Sequence, residues 1–87
     1  MENSVKDIIA LLNETYMWPA PYPFKFIVFA EQVDELKQIL GDDVEIKLKP
    51  SSAGRYVSVS ADIILHSAQA VLDIYEKTKV VKGIRSL

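Results

Sequence analysis

The stretch from Lys49 to Tyr56 carries the residue types best suited to binding chemistry. It reads Lys-Pro-Ser-Ser-Ala-Gly-Arg-Tyr, so two basic side chains bracket a turn of small residues with hydroxyl and backbone N–H groups. Such a turn can hold a phosphate or a carboxylate through amide and hydroxyl donors beside a cation. The alternative is a hairpin whose proline and glycine set the turn geometry, with serines that bond the local backbone. The candidate ligand-binding residues are Lys49, Ser51, Ser52, Gly54, Arg55 and Tyr56.

The other reactive side chains argue against a catalytic or metal site. The chain has no cysteine and one histidine, His66, whereas metal sites need several His, Cys or clustered carboxylates. Nucleophilic catalysis needs a serine within reach of a base, and the turn serines lie at the opposite end of a predicted strand from His66. The junction after the first predicted strand, residues 29–31, lacks the Gly, Arg and Asn of an acylphosphatase-type loop. We therefore expect no catalytic residue, no metal and no cofactor, and hence a protein that is not an enzyme.

Size and composition are typical of one small globular domain. The chain has 87 residues, of which 49% are hydrophobic and 25% charged, and this length suits one domain. The longest apolar run near the N-terminus, residues 8–12, is too short for a signal-peptide core or a membrane span. We therefore expect a cytoplasmic protein that does not contact a membrane.

The net charge of −2 is unevenly distributed along the chain. Residues 1–43 hold three basic and eight acidic side chains, whereas residues 44–87 hold seven basic and four acidic ones. The basic half could form a local patch that attracts anions, although such a division usually reflects two solvated faces.

Apolar periodicity predicts one helix followed by the order β-α-β-β-α-β. Ser4 is a suitable N-cap for an amphipathic helix that ends near Glu14, and Ser67 is a suitable N-cap for a later helix. Between the first helix and the first strand, three prolines favour an extended aromatic arm. The predicted strands are residues 24–30, 44–49, 55–64 and 80–87, and the two later helices are residues 31–40 and 68–78.

This order predicts an α+β ferredoxin-like βαββαβ sandwich, with a four-stranded antiparallel sheet and two helices on one face. The helix and arm would form residues 1–19, and the βαββαβ domain residues 20–87. The second sheet face is too apolar to be simply solvated, so the N-terminal helix, the Met17-Trp18 arm or a second subunit could cover it. We therefore expect a homodimer. That face would carry Lys25, Ile27, Phe29, Lys47, Lys49, Tyr56, Ser58, Ser60 and Asp62.

Single-stranded RNA binding is the alternative function for a domain of this topology. RNA-recognition modules stack bases on aromatic side chains of their open sheet face, and here Phe29 and Tyr56 could do so. On the strand that carries Tyr56, however, the next two outward positions are Ser58 and Ser60 instead of aromatic residues. The isoelectric point of the chain is about 5.3, which does not favour a polyanion. Nucleic acid therefore ranks below protein as a partner.

Three features of the chain resemble the YbeD-like family of small uncharacterised bacterial proteins. They are the proline-rich entry to the first strand at residues 21–26, the Lys-Pro-Ser-Ser-x-Gly-x-Tyr turn at 49–56, and Ser-Val-Ser at 58–60. The resemblance covers roughly residues 20–87. It implies an ACT-like domain, a βαββαβ module that often dimerises and binds small effectors such as amino acids.

Together these observations predict a non-enzymatic regulatory or interaction module. We expect it to be dimeric, with a protein partner or a small anionic or amino-acid effector. The resemblance implies no catalytic residues. Residues 49–56 match the family only as a motif whose role is not assigned.

Overall fold

The computed structural model describes residues 4–87 and has an α+β fold. A four-stranded antiparallel sheet has the order β2-β3-β1-β4. A short 3-10 turn, Ala30–Gln32, leads into α2. The elements are α1 (Val5–Thr15), β1 (Ala20–Phe29), α2 (Val33–Leu40), β2 (Lys47–Pro50), β3 (Tyr56–Leu65), α3 (Ala68–Thr78) and β4 (Arg85–Ser86).

The core lies on one side of this sheet, which we call the helix side. Because successive strand residues point to opposite faces, alternate residues of β1 and β3 enter the core. Phe26 pairs with Val59 in the register and both are buried, and Leu36 of α2 and Val71 of α3 pack into the same cluster. The two central strands therefore supply most of the core residues. The remaining core residues are Phe24, Val28, Leu40, Val57, Ala61, Leu65 and Val81.

Both predicted serine N-caps are confirmed. The hydroxyl of Ser4 accepts a hydrogen bond from the backbone N–H of Asp7 at 3.2 Å, and the Asp7 carboxylate accepts one from the Ser4 N–H at 3.4 Å. The hydroxyl of Ser67 accepts from the Ala70 N–H at 3.1 Å. Each cap satisfies a donor that the first turn of the helix would otherwise leave unpaired.

Strand β1 begins four residues before the predicted start, and includes Pro21 and Pro23. The Lys25 carbonyl accepts a hydrogen bond from the Leu87 N–H, so odd-numbered residues of β1 direct their backbone groups toward β4. Because β4 is only two residues long, the proline nitrogens face a part of that edge where no donor is needed. The prolines therefore fit within the strand.

Two other predicted strands are shorter than expected. β2 begins at Lys47 instead of Val44, because a turn closed by the Val44 N–H and the Gly41 carbonyl at 3.1 Å occupies the preceding residues. β4 covers two residues of the predicted 80–87 segment, since turns closed at Val81 and Ile84 precede it.

The N-terminal helix and the aromatic arm lie on the helix side of the sheet. α1 contacts α3, and Leu12 and Trp18 pack against the core. The Trp18 Nε1–H donates a hydrogen bond to the Asn13 Oδ1 atom at 2.8 Å, which ties the arm to the helix. The expectation that this helix or arm might cover the second sheet face is therefore wrong within residues 4–87. None of the helices in the described part of the chain is long and apolar enough to cross a membrane.

Candidate functional site

The sheet side opposite the helices, which we call the open face, is left uncovered by residues 4–87. In the register, Arg85, Ile27, Ser58 and Lys49 form one row across the four strands. The next row holds Lys25, Ser60 and Lys47. Neighbouring strands lie about 4.8 Å apart, and alternate residues along a strand about 6.6 Å apart. The face also carries Pro21, Pro23, Phe29, Tyr56, Asp62 and Ile64.

Unpaired cations frame two serine hydroxyls at the centre of the open face. The strands contribute four cations and the carboxylate of Asp62 to this face. A second carboxylate, that of Glu45 just before β2, lies near Lys47, Ser60 and Asp62 at one edge. Within residues 4–87, the single ion pair joins Lys79 and Glu76 on the helix side of the molecule, and neither Ser58 nor Ser60 has a side-chain hydrogen bond there. Because the whole chain carries a net charge of −2, the open face has the opposite sign to the rest of the protein.

An aromatic pair lies at one end of the open face. The rings of Phe29 and Tyr56, which are paired in the register of β1 and β3, stack with centroids 5.1 Å apart and planes inclined by 27°. The guanidinium carbon of Arg55 is 5.9 Å from the Phe29 centroid and 5.7 Å from the Tyr56 centroid. At these distances the cation is attracted to both ring systems. The pair and the arginine therefore form one unit.

A shallow hollow of about 570 Å³ lies beside this pair. Its walls are mostly apolar, with Arg85 as the charged member, and it opens onto the row that contains Ile27. It is lined by Ile27, Phe29, Tyr56, Gly83, Ile84 and Arg85. A second hollow of about 370 Å³ shares Phe29 with the first and is otherwise lined by Glu31, Gln32, Arg55 and Lys82.

Residues 4–87 hold no group of three or more His, Cys, Asp or Glu side chains that could bind a metal ion. His66 is exposed in the bend between β3 and α3. On the helix side, burial raises the pKa of the Tyr75 hydroxyl, and the nearby Tyr22 hydroxyl raises it further. None of these groups contributes to the open face.

A family model covers residues 13–87, which is most of the chain and includes every residue of the open face. Its description is "Protein of unknown function (DUF493)". The chain belongs to the DUF493 family. This match confirms the resemblance to the YbeD-like proteins. No curated protein and no solved structure matches the chain.

The turn that carries the DUF493 chain's candidate site residues uses several of its polar groups to close the hairpin. The Ser51 N–H donates to the Tyr56 carbonyl at 2.8 Å, and the Ser51 hydroxyl accepts from the Tyr56 N–H at 3.2 Å. The Gly54 N–H donates to the Ser51 carbonyl at 2.9 Å, and Gly54 has a φ of 76°. These contacts favour the interpretation in which the turn sets hairpin geometry.

The structure divides the candidate site residues between two places. Arg55 and Tyr56 join Phe29 in the aromatic unit, and Lys49 lies opposite Ser58 on the open face. Ser51, Ser52 and Gly54 remain in the turn. As a single ligand-binding site, the motif at residues 49–56 stays a prediction.

Most residues of the open face of this DUF493 chain lie outside the motif at residues 49–56, which the sequence marks as the candidate site. Lys25, Ile27 and Lys47 were assigned to this face by strand alternation, and the register bears that assignment out. Arg85 and Gly83 were not assigned to it. They lie in the predicted fourth strand, residues 80–87, whose weak alternation does not fix a register. The sequence therefore predicts a strand there but no residue-level pairing of Arg85 with Ile27.

Proposed function

We propose that this chain is a non-enzymatic interaction module, and that it binds an acidic segment of a partner protein on the open face. The observation that supports this proposal is the charge arrangement of that face. Lys25, Lys47, Lys49 and Arg85 surround two hydroxyl donors on an otherwise acidic protein. Complementary charge steers partners toward such a face and sets their orientation. A regulatory role would follow from occupancy of this face.

We further propose that the domain has the ferredoxin-like βαββαβ topology and is ACT-like. The strand order β2-β3-β1-β4 and the packing of α2 and α3 against one side of the sheet support this topology. Two crossovers that flank a hairpin lead to this order when both are right-handed.

The geometry of the aromatic pair favours protein over single-stranded RNA as the partner. Base stacking requires ring faces that are open to the nucleobases. Here Phe29 and Tyr56 stack on each other as one pair. The next outward positions on β3 are Ser58 and Ser60, so the open face lacks the separate aromatic platforms on which such modules stack two or three bases. Tyr, Phe and Arg are enriched at the centres of protein interfaces. Single-stranded RNA is therefore the alternative function, and it gives a distinct outcome in the experiment below.

The test compares two variants with the same change in net charge. Lys47→Glu/Lys49→Glu reverses two cations of the open face, and Lys37→Glu/Lys77→Glu reverses two exposed lysines on the helices. The probes are a fluorescein-labelled dodecapeptide of alternating Glu and Ser and a labelled oligouridine of equal length. Binding is measured by fluorescence anisotropy at two salt concentrations.

We expect the unmodified protein to bind the acidic peptide, more weakly at higher salt. The open-face variant should bind it about tenfold more weakly, since two rim ion pairs contribute about 0.2–1 kcal/mol each and their reversal adds repulsion. The helix variant should bind as the unmodified protein does. Equal weakening in both variants, or no binding of the acidic peptide at all, would contradict the proposal. Tighter binding of oligouridine that is lost in Tyr56→Ala would support RNA instead.

We also propose that the protein forms a homodimer. Its subunits pair outside the open face, which differs from the sequence-based expectation that a second subunit covers that face. In a twofold dimer the same patch meets itself, so pairing through the open face would bring like cations together with few carboxylates. α1 offers an alternative, because Val5 and Leu11 are about 60% exposed on it.

A further inference from the structure

The hollow beside the aromatic pair is apolar, whereas the rows next to it are cationic. Ile27, Phe29 and Ile84 are half-buried, and together with Tyr56, Gly83 and Arg85 they line its volume of about 570 Å³. Pockets that hold small groups in proteins have volumes of about 300–1,000 Å³ and mostly apolar walls. The hollow is therefore large enough for one bulky apolar side chain.

The hollow and the basic rows form one continuous surface. Ile27 lines the hollow and also lies in the row with Ser58 and Lys49. Arg85 pairs with Ile27 in the register and lines the hollow too. An apolar group in the hollow would therefore lie within one or two strand spacings of Arg85 and Lys49, which are in the same row as Ile27.

The position of Phe29, which forms one wall of the hollow, is constrained by its neighbours. A Cβ atom at Gly83 would overlap the Phe29 ring, so glycine at this position allows the ring to lie against the backbone. On its other side the ring stacks on Tyr56. A pocket that is already formed costs little ordering when a ligand binds.

We propose that this hollow accepts a bulky apolar side chain from the acidic segment that binds the open face. The partner is then an acidic segment with one apolar anchor, whose neighbouring carboxylates meet Arg85, Lys25 and Lys49. This inference rests on the proposed function and specifies the chemistry of the partner. Charge complementarity argues for the carboxylates, and the apolar walls argue for the anchor.

The experiment uses two acidic dodecapeptides that differ at one central position, Phe in one and Ser in the other. It measures their dissociation constants with the unmodified protein, with Ile27→Trp and with Ile64→Trp. Ile27 lines the hollow, so tryptophan there fills it without changing charge. Ile64 is 67% exposed at the far end of the same face and is the matched control. Circular dichroism verifies that each variant is folded.

We expect the Phe peptide to bind the unmodified protein and Ile64→Trp about tenfold more tightly than the Ser peptide, because partial burial of an aromatic side chain contributes about 1.4 kcal/mol. In Ile27→Trp the two peptides should bind equally. Equal binding of both peptides to the unmodified protein would overturn the anchor while leaving the proposed function in place. No binding of either peptide would overturn the proposed function itself.

A competition experiment distinguishes an anchor within a peptide from a free small ligand in the hollow. N-acetylphenylalaninate carries the same apolar group and one carboxylate, but none of the other acidic residues. We expect it to compete with the Phe peptide at least a hundredfold more weakly than unlabelled Phe peptide does, since it meets fewer cations. Competition as strong as that of the peptide would identify the hollow as a small-effector site and overturn the anchor. If Ile27→Trp does not fold, Ile84→Trp replaces it, since Ile84 also lines the hollow and the substitution leaves the charge unchanged.

Discussion

Gly83 allows the Phe29 ring to pack closely against the backbone at the hollow of the open face. Its φ is +78°, a conformation that residues with a side chain rarely adopt. A side chain there would also overlap the ring of Phe29. The glycine therefore serves two purposes, a backbone turn before β4 and the close approach of an aromatic wall. Gly54 has a similar φ of +76°, but open space where a Cβ would lie.

This difference makes the two glycines a matched pair for mutation. We expect Gly83→Ala to lower the free energy of unfolding by about 2 kcal/mol or more, since backbone strain and overlap with Phe29 add. Gly54→Ala should cost about 1 kcal/mol, from the backbone alone. Urea unfolding monitored by circular dichroism measures both values. Equal losses in the two variants would show that Phe29 moves aside without cost.

At the scale of the element, helix caps can be predicted from local sequence, whereas the start of β1 cannot. Ser4 and Ser67 were identified as caps from sequence because a capping hydroxyl needs only the helix that it begins. The sequence predicts the start of β1 at Phe24, four residues later than observed, because prolines disfavour a strand locally. They are tolerated since β4 is too short to need their backbone donors.

The cap of α3 offers a test at this scale. Ser67→Ala should lower the free energy of unfolding by about 1 kcal/mol, because the Ala70 N–H loses its hydroxyl acceptor. Ser58→Ala is the control, since Ser58 lies on the open face and should change stability by less than about 0.5 kcal/mol. Thermal and urea unfolding compare the two variants. A loss for Ser58→Ala as large as that for Ser67→Ala would contradict the assignment of the cap.

At the scale of the whole molecule, charge is separated between the two sides of the sheet. The open face holds four cations and one carboxylate on its strands, although acidic residues outnumber basic ones in the chain. The difference between the two halves of the sequence indicated a basic patch. Strand alternation adds Lys25, from the acidic half, to the same face, and the register agrees.

The proposed dimer can be tested through this separation of charge. We expect sedimentation velocity to detect a dimer whose dissociation constant is unchanged in Lys47→Glu/Lys49→Glu, because the open face points away from the interface. A dimer that dissociates or tightens in this variant would place the open face in the interface. A monomer at every concentration measured would contradict dimerisation.

The periods of apolar residues by themselves determined the elements, their order and the assignment of residues to the two faces of each central strand. These features depend on interactions between residues close in sequence, and on an alternation that any sheet must respect. Tertiary structure decided the position of α1, the stacking of Phe29 on Tyr56, and the pairing that brings Arg85 to Ile27. Those contacts join segments distant in sequence, so they depend on how the whole core packs and not on any local pattern.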